Sequence, residues 1–299
     1  MSKILVLGGT QFFGKRLVAK LVEAGAEVTL ATRGRTADSF GDSVSRVQLE
    51  RQDRNSVERA LQSREWDIVF DQTCYAPKEA ADVWDVLKGR VKRYVLTSSM
   101  AVYEYGEDKK EEDFDPYRYP FTMGTRADYK GLEGYRQAKR EAEAYLIQEA
   151  SIPVIAVRFP FVVGPDDYTN RLRFFVDKIS TDTPIGVEDP DASLCFISSE
   201  EAASFLKWVG EATWSGPINA ASYGTLTHTQ LLAHIEAITG KSARFGGVED
   251  SIDPSPYNLP DSWTINTSRA AGMGFDFRHV EDYLPSLLQL YANQWNAAD

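Results

Sequence analysis

Apolar residues fall along the first half of the chain in two alternating rhythms, short unbroken runs and longer stretches spaced three and four apart. Ile4-Leu5-Val6-Leu7 is such a run, of the kind a parallel strand covered on both faces requires. Lys15 to Ala24 follows with helical spacing at Leu17, Val18, Leu21 and Val22, and Gly25 closes it. The alternation continues. Glu27 to Ala31, Val47 to Leu49, Asp67 to Phe70, Arg93 to Thr97 and Val154 to Arg158 read as further strands. Ser56 to Arg64, Lys78 to Leu87 and Tyr135 to Ala150 read as helices between them, the last with Ala138, Ala142 and Leu146 on one face and charge elsewhere. Strands separated by helical patterns predict an α/β fold, a doubly wound parallel sheet with right-handed crossovers. Glu104 to Lys130, acidic and aromatic with Gly106, Pro116, Pro120 and Gly124 as breakers, is expected to be a long loop acting as a mobile lid. Beyond Pro165 the rhythm loosens. Leu194 to Ile197 and Pro217 to Ala220 predict short strands, and Ser199 to Gly210, Thr227 to Thr239 and Val280 to Asn293 predict helices. Residues 1–165 are therefore expected to form the sheet domain. Residues 166–299 would form a smaller, irregular C-terminal region with some segments returning to the sheet.

The first strand runs directly into Gly8-Gly9-Thr10-Gln11-Phe12-Phe13-Gly14. Glycines here would let the backbone approach a pyrophosphate resting on the positive end of the following helix. The spacing does not fit G-x-G-x-x-G, because Thr10 and Phe13 occupy its second and third glycine positions. Counted from Gly8 it fits G-x-x-G-x-x-G with Gln11 in the middle. A nucleotide site is expected; a plain strand-to-helix turn is the alternative. The formal net charge of -11 argues against a general affinity for nucleic acid or for anionic membrane. No charged segment followed by an apolar one stands near Met1, and no apolar run approaches membrane-spanning length, so a soluble cytoplasmic protein is expected. Cys74 and Cys195 lie far apart in strand-like contexts and read as reduced, buried thiols. His228, His234 and His279 lack metal-site spacing, so no metal is expected.

Tyr135 and Lys139, four apart on a helix, project from one face one turn apart. An ammonium beside a phenol favours the phenolate, the form a tyrosine needs to act as general base. Such a pair is also found as plain surface decoration, but Ser99 at the carboxyl end of the fifth strand stands at the edge where open α/β sheets bind ligands. After the second strand comes Ala31-Thr32-Arg33-Gly34-Arg35. A carboxylate for ribose hydroxyls is usual about twenty residues past the glycine turn, and none is present. Arg33 at that distance favours a 2′-phosphate, hence NADP over NAD, unless Arg33 and Arg35 only decorate a turn. Arg171 and Arg173 are candidates to clamp an anionic substrate, or are loop arginines paired with Asp166 or Asp167.

Together, Gly8 to Gly14, Thr97-Ser98-Ser99-Met100-Ala101-Val102-Tyr103, Tyr135-Arg136-Gln137-Ala138-Lys139 and Arg158 to Pro165 resemble the short-chain dehydrogenase/reductase superfamily. Within it the chain looks like an extended or atypical NAD(P)-dependent epimerase/dehydratase. Leu226 to Leu232 and Asn266 to Ala270 carry the resemblance into the C-terminal region. It implies a Rossmann sheet with a substrate-binding C-terminal region, and hydride transfer on a sugar, nucleotide-sugar or other small hydroxy or keto compound. It implies that Tyr135 is the acid/base, that Lys139 also holds the nicotinamide ribose, and that Ser99 holds the reacting oxygen. Ser99 is preferred to Ser98 because it stands four before Tyr103. Gly8, Thr10, Gln11, Phe12, Phe13 and Gly14 would surround the pyrophosphate, Asp53 would contact adenine, and Pro160, Phe161 and Val162 would line the nicotinamide. It also implies a homodimer through the helices at 78–87 and 135–150. Two departures stand out: Gln11 for the middle glycine, and a Ser99 to Tyr135 interval longer than the group's usual one. Atypical members sharing the Gly-Gly-Thr-x-Phe-x-Gly start resemble non-catalytic NADP sensors or plastid RNA-associated proteins. A binding module is therefore the alternative function, although the intact Ser99, Tyr135 and Lys139 set favours an enzyme.

Overall fold

The computed structural model describes residues 1–247 and 253–296. Its centre is a seven-stranded sheet made of β1 (Lys3–Leu7), β2 (Glu27–Thr32), β3 (Ser45–Gln48), β4 (Trp66–Asp71), β5 (Val91–Ser99), β6 (Val154–Phe159) and β7 (Gly216–Asn219). The order is β7-β6-β5-β4-β1-β2-β3 and every pairing is parallel. β1 lies between β2 and β4, so the chain turns outward in opposite directions on its two sides and leaves a crevice at their carboxyl ends.

Because successive strand side chains point to opposite faces, β1 feeds two cores. Ile4 and Val6 join the layer under helices α1 (Phe12–Glu23) and, from the C-terminal half, Ser199–Gly210. Leu5 and Leu7 join the layer under α2 (Arg54–Leu61), α3 (Pro77–Leu87) and α4 (Gly131–Glu149). A third cluster, rich in aromatics, fills the C-terminal region and holds Phe175, Phe196, Tyr257, Trp263, Tyr283 and Tyr291. Cys74 and Cys195 are both buried and free. Among the described residues no helix is long and apolar enough to cross a membrane.

The structure departs from the sequence reading in four places. Residues 104–130 are not a free loop. Gly106–Lys109 pairs in parallel with Trp263–Ile265, and helical turns form at Glu111–Asp113 and Arg126–Asp128. The stretch is also fastened to α4. Glu141 accepts the Thr122 N–H at 2.9 Å and the Thr122 and Tyr129 hydroxyls, each at 2.8 Å, while Gln148 donates to the carbonyls of Pro116 and Tyr119. The same stretch also packs on α3. Phe121 meets the Tyr145 ring at 5.5 Å, the Lys78 N–H bonds the Gly124 carbonyl, and only Asp85 of α3 is exposed.

Arg171–Ser180, expected as loop, is helix α5, because Leu172, Phe175, Val176 and Ile179 fall on one buried face. Leu194 to Ile197 is two strands rather than one. Ser193–Leu194 pairs with Leu226–Thr227 and Phe196–Ser198 with Phe161–Val163, so Cys195 marks a change of sheet. The last helix begins later than its pattern suggested, with a short turn at Val280–Asp282 preceding Leu284–Asn296.

Candidate functional site

The crevice at the carboxyl end of β1 holds a cavity of about 300 Å³ lined by the glycine turn, residues 31–36, residues 49–52, Gln72, Thr73, Arg126 and Tyr168. Gly8 and Gly9 have φ of 102° and 89°, which side-chain-bearing residues rarely adopt. A Cβ on Gly9 would stand 2.9 Å from Val18 Cγ2 and 3.0 Å from Val6 Cγ1, so the close seating of α1 on β1 requires glycine. Gln11 needs no glycine, since its φ of -138° is extended backbone. The left-handed residue is Phe12 instead, at φ 53°. Burial of its ring against Phe13, 5.5 Å away, and Tyr168, 6.3 Å away, holds that strained conformation in place. No side chain caps α1 and no acid stands in its first turn. Its leading N–H groups therefore remain available to an anion. Gln72 Nε2 is buried in the same crevice without a hydrogen-bond partner among the described residues. A turn too tight for side chains, an uncapped helix start and an orphaned donor fit a dinucleotide phosphate bridge.

At the far end, Arg33 is exposed and its guanidinium has no hydrogen bond or ion pair among the described residues; only its carbonyl is engaged, by Gln48. Arg35 lies 3.8 Å from Glu50. Asp53 lies outside the cavity lining and caps α2, accepting the Asn55 N–H at 3.0 Å. The acid that lines the crevice after β3 is Glu50, three residues earlier. Sequence spacing missed it. In the crevice wall Arg51 is buried on both oxygens of Asp71, which also accepts the Tyr94 hydroxyl.

The candidate catalytic side chains stand at β5 and α4. Ser98 and Ser99 are separated by the pleat. Ser98 is buried and donates to Glu143 at 2.5 Å, whereas half-buried Ser99 accepts the Ala101 N–H at 3.2 Å and donates its own hydroxyl hydrogen to no group among the described residues. Lys139 is buried and donates to the Cys74 and Thr97 carbonyls at 3.0 and 2.9 Å, which leaves one of three ammonium hydrogens unspent. Tyr135 is half-buried and its hydroxyl has no hydrogen bond among the described residues. Its ring lies 5.4 Å from that of Tyr75, a second phenol that the sequence reading missed. Burial, together with Tyr135 beside it, pushes the Tyr75 phenol above its ordinary value. The signal available was its position just past the carboxyl end of β4.

Phe161 and Val162 belong to the short strand Phe161–Val163; neither they and Pro160 nor Ser99, Tyr135 and Lys139 are among the residues that line the cavity beside the glycine turn. Phe161 packs 4.6 Å from Tyr257. The two arginines assigned to the substrate part company. Arg171 covers Phe161 and Tyr257 at 5.8 and 5.9 Å and bonds Thr169, and Arg173 pairs with Asp177 at 3.6 Å one turn along α5. Neither pairs with Asp166 or Asp167 as loop arginines were expected to, because α5 turns them onto other faces.

A parallel sheet with a glycine turn at its switch point, followed by serine, tyrosine and lysine on β5 and α4, defines the extended class of short-chain dehydrogenase/reductase folds. The chain belongs to the NAD dependent epimerase/dehydratase family, whose pattern matches residues 4–213. It is similar to UDP-glucose 4-epimerase from Thermotoga maritima, solved with UDP-glucose, at 16% identity and TM-score 0.76 over 99% of each chain. It is also similar to dTDP-glucose 4,6-dehydratase from Bacillus anthracis in complex with NAD, at 16% identity and TM-score 0.75 over 99% of this chain and 98% of that one. Among curated proteins it resembles chloroplast stem-loop binding protein of 41 kDa b from Arabidopsis thaliana, 25% identical over 224 residues and 70% of this chain. The chain spans about half of that relative, 55% of its length.

Proposed function

We propose that the chain is an NAD(P)-dependent epimerase, dehydratase or reductase acting on a nucleotide-sugar or another small hydroxy or keto compound, with NADP preferred. The observation that carries this reading is a division of labour among hydroxyls. Ser98 is consumed by a buried carboxylate while Ser99 and Tyr135 keep theirs uncommitted at the sheet's ligand edge. Gly8, Thr10, Gln11, Phe12, Phe13 and Gly14 would hold the cofactor's phosphates and Arg33 its 2′-phosphate, with Glu50 rather than Asp53 beside the adenosine. The nicotinamide, when bound, supplies acceptance and return of hydride. Everything else falls to the chain. Ser99 would donate its free hydrogen to the reacting oxygen, and Tyr135 would take or give the proton at that oxygen. Lys139, anchored on two carbonyls, would use its remaining N–H to hold the ribose and would bring a positive charge beside the phenol. Arg171, resting on two aromatic faces, is the candidate for an anionic part of the substrate. Arg173 is spent on Asp177.

The test is turnover of UDP-glucose and of dTDP-glucose with NAD or NADP. Tyr135→Phe should leave cofactor binding near wild type and lower kcat by about two to four orders of magnitude, the scale of a positioned acid/base. A variant keeping more than about a tenth of wild-type kcat removes Tyr135 from the role.

The second reading is a binding module, a cofactor sensor or an RNA-associated protein, favoured by the similarity to a stem-loop binding protein. The net charge of -11 weighs against RNA, because affinity for a phosphate backbone needs clustered cations. Salt-dependent retardation of a stem-loop RNA, with no turnover of either sugar nucleotide, would favour it.

A further inference from the structure

The stretch between Ser99 and Tyr135 sends one side chain into the crevice. Arg126, first residue of the turn Arg126–Asp128, lines it beside the glycine turn and Thr73. One edge of its guanidinium is fixed. Nε and Nη2 both bond the buried Glu79 carboxylate, and Nη2 also donates to the Thr73 carbonyl at 2.9 Å. The guanidinium carbon lies 5.2 Å over the Tyr75 ring. Nη1 makes no hydrogen bond among the described residues, and 38% of the side chain is exposed. Neutralising Glu79 does not account for this arrangement, because Arg51 Nε already approaches the same carboxylate at 3.2 Å. Thr73 is the residue against which the glycine turn closes, since a Cβ on Gly8 would stand 2.9 Å from Thr73 Cγ2. Arg126 is therefore braced next to the turn, whereas Arg33 and Arg35 follow β2 at the other end of the crevice.

Resting on the dinucleotide reading above, we propose that Arg126 is a phosphate ligand of the cofactor. Its free Nη1 edge takes an oxygen of the pyrophosphate bridge. Glu79 and Thr73 brace the guanidinium before the cofactor arrives, so little side-chain entropy remains to be lost. Helix α1 offers only partial positive charge to a bridge that carries full negative charge. A guanidinium in the same cavity supplies the missing part. The anchoring of 104–130 on α4 and on Trp263–Ile265 then acquires a purpose, to hold Arg126 at a fixed distance from the glycine turn.

The experiment is calorimetric titration of NAD and NADP into the full chain, R126Q and R126K, with thermal unfolding of each protein without cofactor. R126Q should weaken both dinucleotides by a common factor of about tenfold to a hundredfold, the range for a charge-assisted hydrogen bond. R126K, which keeps the charge opposite Glu79 but lacks the second edge, should fall between, with an unfolding midpoint close to wild type. R126Q binding both cofactors as wild type does would overturn the proposal. Loss confined to NADP would also overturn it, by moving Arg126 to the 2′-phosphate. A wild-type chain that binds neither dinucleotide brings down the parent reading, and this one with it.

Discussion

The sheet domain and the C-terminal region are built on different principles. In β1, β4, β5 and β6 apolar residues are contiguous, and the pleat alone distributes them to two aliphatic layers. Outside β7, the described residues of the C-terminal region form strands of two or three residues, too short to impose a register by themselves. There the order comes from rings far apart in sequence. Tyr257 stacks on Phe175 at 5.5 Å and tilts against Phe161 at 4.6 Å, and Cys195 donates to the Trp263 carbonyl. One region is specified by local pattern and the other by packing partners. The seam between them is polar. Arg158, at the end of β6, is wholly buried on Glu143, and donates to Tyr103 and to the carbonyls of Glu111 and Phe114. Burial opposes the Arg158 charge, but Glu143 beside it more than restores it, so the guanidinium is raised above its ordinary value.

Breaking the seam should give the largest effect. Glu143→Gln leaves Arg158 as an unpaired buried charge and should cost about 3–5 kcal/mol by denaturant unfolding. Hydrogen exchange should show Gly106–Lys109 losing protection before β1 does. A cost under about 1 kcal/mol would mean that the carbonyls alone hold Arg158.

A smaller effect separates the regions by pH. His228, wholly buried at the start of the helix His228–Thr239, shares Nε2 with Ser255 at 2.9 Å and has no partner on Nδ1 among the described residues. Burial lowers it to about 4. The unfolded chain binds this proton more readily, with an ordinary value of about 6.5, so the stability held by neutral His228 is complete above that pH. It is lost as pH falls from there toward 4, by about 3 kcal/mol in all. His228→Gln should flatten the slope of stability against pH across that window. An unchanged slope would show that the C-terminal core admits the charged ring.

The smallest effect sharpens the cofactor end of the sheet domain. Arg33→Asp should abolish or reverse the preference for NADP, a change of about tenfold to a hundredfold in relative affinity. The wild-type preference should weaken as salt rises, because an exposed ion pair is screened. Equal or tighter NAD binding by the wild type would show that Arg33 only decorates its turn.

How much was legible follows from the range of the interactions involved. The strands of the sheet, the glycine turn and the Tyr135–Lys139 pair are visible in the sequence because each depends on spacing within one element, a period of two or 3.6 residues. α5 was equally visible in Leu172, Phe175, Val176 and Ile179, and was obscured only by the prolines and acids around it. No local pattern tells that Glu50 rather than Asp53 lines the crevice, since both are acids after the same strand and a cap competes for the second. Nor does one tell that 104–130 is an anchored strap. Gly106–Lys109 becomes a strand only against Trp263–Ile265, more than a hundred and fifty residues away. Tyr75 and Arg126 come to the site the same way, the first set beside Tyr135 by the order of β4 and β5, the second by Glu79 and the Thr73 carbonyl. Backbone geometry is settled over a few residues and can be read there, whereas a side chain's partner is chosen among every residue the fold brings within reach.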